Sequence, residues 1–224
     1  MNKHMISILI RKDVRLVVLP VLCYLAAGLA SVAMMGVERL AWFYAGSVLL
    51  ITSLIALGFH PPMATVVGER KEQTLAFVMS MPITPADYTW SKLLANLLLF
   101  FAPWALLLAA TVGLILLRPS MPDGLIPYAV ILFGAIAASA VLILCIGIVS
   151  ESMHWTIATQ IVSNLVFQGV MYAASNATAI KATMQGDVVD WNGTALTFLG
   201  IELAIAVLAL PVTLWLQSRK TDFI

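Results

Sequence analysis

Few residues in this sequence have the type and spacing that catalysis or metal binding needs. His4, His60 and His154 stand far apart and make no metal-ligand spacing. Cys23 and Cys145 lie inside apolar runs without a CxxC motif, so they read as small hydrophobes. No GxxxxGK[ST] phosphate loop, HExxH or GxSxG occurs. The chain is therefore expected not to be an enzyme. Asn176-Ala177-Thr178 and Asn192-Gly193-Thr194 match the glycosylation sequon, which matters only in a eukaryotic cell. His60, beside Pro61 and Pro62, is a candidate ligand or proton carrier. With no partner evident it reads more simply as an interfacial histidine. Glu202 is the acidic residue that stands out, because it interrupts an apolar run. It is the candidate for lining a substrate path or pairing with Arg39 or Lys181. Equally, it could snorkel to headgroups.

The elements that would position these residues follow from composition. Of 224 residues, 62% are hydrophobic and 10% charged, against about 45–50% and about 25% in a soluble domain. So little charge cannot cover so much apolar surface in water, and lipid is the solvent that fits. A span needs about 20 mainly apolar residues. The expected fold is all-α, a single transmembrane domain with six spans, at about 16–35, 40–62, 93–117, 126–150, 155–174 and 195–216. Glu202 would then lie about 9 Å below the end of the sixth span. Pro61 and Pro62 predict a bend in the second span. Trp42, Trp155 and Trp191 read as interfacial anchors. The net charge of +1 says nothing about nucleic acid, whose binders need a clustered basic face, and no nucleic-acid partner is expected.

Orientation follows from lysine and arginine in the short loops. One side holds Lys3, Arg11, Lys12, Arg15, Arg70, Lys71, Lys92, Arg219 and Lys220, and the other only Arg39, Arg118 and Lys181. Both termini and the 68–92 segment are thus expected in the cytoplasm. The compartment expected is the bacterial inner membrane. Before the first span, MNKHMISILIRKDVR reads as an amphipathic elbow helix on the membrane surface. Ile6, Leu9 and Ile10 would face lipid, with Arg11, Lys12 and Arg15 among headgroups.

The cytoplasmic segment 68–92 is the most informative. Glu69-Arg70-Lys71-Glu72 opens it with mixed charge. An apolar stretch with Leu75, Phe77, Val78, Met79 and Met81 runs to Pro82. Thr84 can cap a helix that starts at Pro85, with Asp87 in its first turn. Exposed apolar residues rimmed by charge suit a docking element. A helical hairpin resting on the membrane is the plainer alternative.

The stretch ERKEQTLAFVMSMPITPADYTWSKLLANLL resembles the segment after the second span in permease subunits of type-two ABC exporters. The matching features are the charged cluster Glu69 to Glu72, then Thr74 and Leu75, the turn Met81-Pro82-Ile83-Thr84, and the opening Lys92-Leu93-Leu94. Gln73 stands where that family often has glycine. The elbow-like N-terminus and the six-span layout are similar to the family as well. The resemblance implies two permease copies, or a copy and a homologue, forming a pathway. A separate ABC ATP-binding subunit would dock on each and would hold the ATP and magnesium, with no cofactor in this chain. Segment 68–92 would be the coupling helix, with Glu69, Arg70 and Glu72 in charged contacts and Phe77, Val78 and Met79 in a groove of the ATPase. Thr74, Pro82 and Asp87 would shape that element. The alternative is a membrane scaffold, immunity or sensor subunit that binds a peptide or lipid without an ATPase.

Overall fold

The computed structural model describes residues 3–72 and 84–220, and these are helical, with no strand among them. The helices are α1 Lys3–Met35, α2 Leu40–Pro62, α3 Gly68–Lys71, α4 Pro85–Leu117, α5 Leu125–Ser150, α6 Met153–Asn176, α7 Thr178–Thr183 and α8 Gly193–Ser218. A π-helical turn, Met63–Val67, joins α2 to α3 without a break. Six of the helical segments are long and apolar enough to cross a membrane. The chain is accordingly read as an integral membrane protein.

The bundle has two halves. α1 packs on α2 and α4, α5 packs on α6 and α8, and α2 and α4 meet α5 between them. The seam is filled by a cluster that includes Val17, Leu54, Leu57, Leu107, Phe133, Ile136 and Phe167. The Trp104 indole donates to the Phe133 carbonyl across the α4–α5 contact at 3.0 Å. α5 is the most buried of the long helices, and its small residues Ala135, Ala137, Ala138 and Ala140 are all buried, as close helix approach in lipid requires.

One expectation needs correction. The surface elbow is not a separate element, because Lys3–Met35 is one helix of 33 residues. No glycine or proline separates residues 3 to 19, so nothing stops the helix before Leu16. Ile6 and Leu9 do not face outward. With Asp13 and Val17 they form a buried stripe at helical spacing. At Pro61-Pro62 the helix does not break but passes into the π turn, in which the Gly68 amide donates to the Met63 carbonyl five residues back. Prolines free carbonyls upstream, and here the wider turn lets the helix run on to Lys71.

The end of the bundle away from the chain termini is closed by α7. Its Ile180 packs with Ile131, Ala174 and Ala195, and the Gly124 amide donates to the Gly186 carbonyl at 2.9 Å. A Cβ on Gly124 would run into the backbone carbonyl of Thr183, whereas one on Gly113 would meet nothing within 4 Å. Gly124→Ala is expected to destabilise the protein by about 1–3 kcal/mol, the usual cost of overpacking. Gly113→Ala should be neutral or slightly stabilising. Apparent melting temperatures of the two purified variants in detergent check this difference.

Candidate functional site

The polar groups that the fold brings together lie at the end carrying both termini. Lys92, in α4, is fully buried. Its ammonium donates to both oxygens of Asp13 in α1 at 3.0 and 2.9 Å. It also donates to Glu69 Oε1 in α3 at 2.8 Å and to the Thr65 carbonyl in the π turn at 2.8 Å. Lys12 bonds Glu69 as well, and lies 3.3 Å from Asp13. The Tyr88 hydroxyl donates to Glu69 Oε2 at 3.0 Å. Two lysines therefore balance two carboxylates in one network. A buried charge persists only when it is paired and its remaining hydrogen-bonding capacity is filled.

Helical spacing explains how the chain builds this network. Tyr88, Lys92 and Asn96 recur every fourth residue and share one face of α4. Asn96 donates to the Lys92 carbonyl at 2.8 Å and to the Thr65 hydroxyl at 3.0 Å, which ties α4 to the π turn. Thr84 and Asp87 form a reciprocal capping box with Pro85 at the first helical position, so the start of α4 is fixed locally.

Arg70, next to Glu69, turns the other way. It pairs with Glu151, and the Lys220 ammonium bonds the same carboxylate at 2.8 Å. Burial, and then the neighbouring Arg70, hold the Lys220 pKa below its ordinary value. Lys220 and Gln217 also donate to the Val149 and Ile148 carbonyls at 2.9 and 2.6 Å. They thereby satisfy acceptors that the end of α5 leaves open. Glu151 has φ 49°, a left-handed conformation in which glycine is usual. A glycine there would lack the carboxylate that Arg70 and Lys220 share. Thus Glu69 binds the α1–α4 half and Arg70 the α5–α8 half, from adjacent positions in a four-residue helix.

These findings re-place several residues. Glu69 is buried and internally paired, so it is not presented for an outside charged contact. Arg70 keeps a half-exposed side chain while reaching Glu151. Glu72 is exposed, and Asp87 is buried in its capping box. Thr74, Phe77, Val78, Met79 and Pro82 lie outside the described residues. His60 does have a partner, since its Nδ1 lies 2.8 Å from the Tyr24 hydroxyl. Among the described residues no group of three His, Cys, Asp or Glu is placed to hold a metal ion.

Glu202 faces inward and is 8% exposed, and neither of its carboxylate oxygens has a hydrogen-bond partner among the described residues. It does not reach Arg39, Lys181 or the surface. Ala195, Glu202, Thr213 and Gln217 are the buried residues of α8, separated by 7, 11 and 4 positions, close to whole turns. That polar stripe is a signal a sequence reading can find. Opposite Glu202, α5 has Gly134, where a Cβ would overlap the carboxylate. Glu202 also forms part of the wall of a cavity of about 620 Å³ between α5, α6 and α8.

Removing one partner of a buried ion pair costs about 3–5 kcal/mol, because the other charge is stranded. Lys92→Met leaves two carboxylates facing one lysine and should lower the apparent melting temperature strongly. Adding Asp13→Asn restores one charge of each sign and should recover part of the loss, which thermal unfolding in detergent will register. No family model matches this chain, and no match to it was found among curated proteins or solved structures, so its function is read from these networks, Glu202 and the cavity.

Proposed function

We propose that this chain is the permease subunit of an ATP-driven exporter of the type-two ABC kind, set in a bacterial inner membrane with both termini in the cytoplasm. A separate ATP-binding subunit would supply ATP and magnesium chemistry, and a second permease copy or homologue would complete the pathway. One observation carries the reading. The 72–84 connection is rooted in two ion networks that reach opposite halves of the bundle, through Glu69 to α1 and α4 and through Arg70 to α5 and the end of α8. A coupling element has to be rigidly attached to what it moves, with two discrete arrangements available to the bundle. A loop merely resting on lipid has no need of a buried ammonium at its root.

The buried networks divide the labour within the segment. Glu69 serves the attachment, whereas exposed Glu72 and the apolar run with Phe77, Val78 and Met79 are the part proposed to touch the ATPase. Affinity purification of the tagged chain in mild detergent, with its native neighbours expressed, should bring down an ATP-binding protein in stoichiometric amount. A stable complex that contains none would replace the permease by a scaffold or sensor. Glu72→Lys and Met79→Asp should each reduce the recovered ATPase about tenfold with an unchanged melting temperature, a loss of about 1.4 kcal/mol in association. Glu69→Gln should instead lower the melting temperature.

A further inference from the structure

The cavity between α5, α6 and α8 is lined almost wholly by apolar side chains. Its volume of about 620 Å³ lies in the range of small-molecule sites, about 300–1,000 Å³. Trp155, Val162 and Ile201 on its rim are exposed, so it opens on the outer face of the bundle, where lipid would lie. Glu202 is the only charged residue in its lining, among the described residues. Ser139 and Thr159, also in the wall, spend their hydroxyl protons on carbonyls of their own helices. Ser163 is a third hydroxyl of the wall, and among the described residues no donor lies within hydrogen-bond distance of either carboxylate oxygen. Glu202 Oε2 rests against Gly134, a residue without the side chain that would exclude it.

A carboxylate kept in an apolar wall without a partner is costly, and a cation from outside the chain relieves that cost. We propose that this cavity binds a lipophilic cation, with its charged centre at the Glu202 carboxylate and its apolar body in the α5–α6–α8 cavity. The side chain needs only to turn about its own bonds, away from Gly134, to meet the charge. Phe198, four residues earlier on α8 and also in the wall, presents an aromatic surface on the same face, which suits a cation further. An anionic lipid would set its phosphate against the carboxylate. The binding site stands on the geometry of α5, α6 and α8 alone, while the assignment of such a cation as transported cargo rests on the permease reading.

Two probes of the same shape and opposite charge separate electrostatics from greasiness: tetraphenylphosphonium and tetraphenylborate. Equilibrium dialysis on the purified full chain in detergent should show saturable binding of the cation, at least tenfold tighter than of the anion. Glu202→Gln should weaken the cation about tenfold or more and abolish the preference, whereas Glu38→Gln, at an exposed site, should change nothing. Ala158→Phe, which fills the cavity from its exposed rim and leaves the carboxylate intact, should weaken cation binding as well. It serves if Glu202→Gln does not yield folded protein. Equal or non-saturable uptake of the two ions, or cation binding that survives both substitutions, would overturn the proposal. Loss of the ATPase partner in co-purification with cation binding intact would remove the permease reading alone. The converse result would remove this site alone.

Discussion

Lys92 has its ammonium wholly inside the protein, and the arrangement of the terminal end of the bundle depends on it. Its four acceptors come from α1, α3 and the π turn. Were any of these elements to move away, a charge would be left in a poorly solvated place. The network also precedes the apolar part of α1. About 20 residues of α1 remain after it to cross the core, from Leu16 to Met35. Reciprocal pairing is the solution the chain uses.

The π turn belongs to the same solution. The Thr65 carbonyl, inside the π turn, accepts from the Lys92 ammonium. The Thr65 hydroxyl, donating to Pro61 O at 2.8 Å, serves a carbonyl beside the two prolines and receives the Asn96 amide. Pro61 and Pro62 therefore stand at the start of a shifted register that presents Thr65 and then Glu69 to α4. The adjacent Arg70 is turned toward Glu151 by the same helix. Neighbouring positions on a helix are about 100° apart, so one short helix can face both halves.

The six spans were legible because each apolar run is bounded by charge, glycine or proline. Leu40, Leu117 and Ser150 are span limits in both sequence and structure. Thr84, Pro85 and Asp87 were legible too, because a capping box is local chemistry. The Lys92 network was not. Counting lysines by loop treats Lys92 as a surface charge, and its acceptors Asp13 and Glu69 lie 79 and 23 positions away in sequence. The surface elbow failed for a related reason. Ile6 and Leu9 look equally suited to lipid or to α4, and only the buried Asp13 on their stripe decides between them. Glu202 was noticed for its charge, but its direction depends on Gly134, a contact between helices that no pattern within α8 contains.

The buried Lys92 ammonium holds the two roots of the 72–84 connection in one fixed relation. Spin labels at Glu72→Cys and Ala86→Cys, both exposed positions, measure that relation by pulsed electron resonance in a Cys23→Ser, Cys145→Ala background. One narrow distance distribution is expected in the otherwise native chain, and a broad one once Lys92→Met removes the ammonium. An equally narrow distribution in both proteins would contradict the claim and leave Lys92 with no part in anchoring the segment.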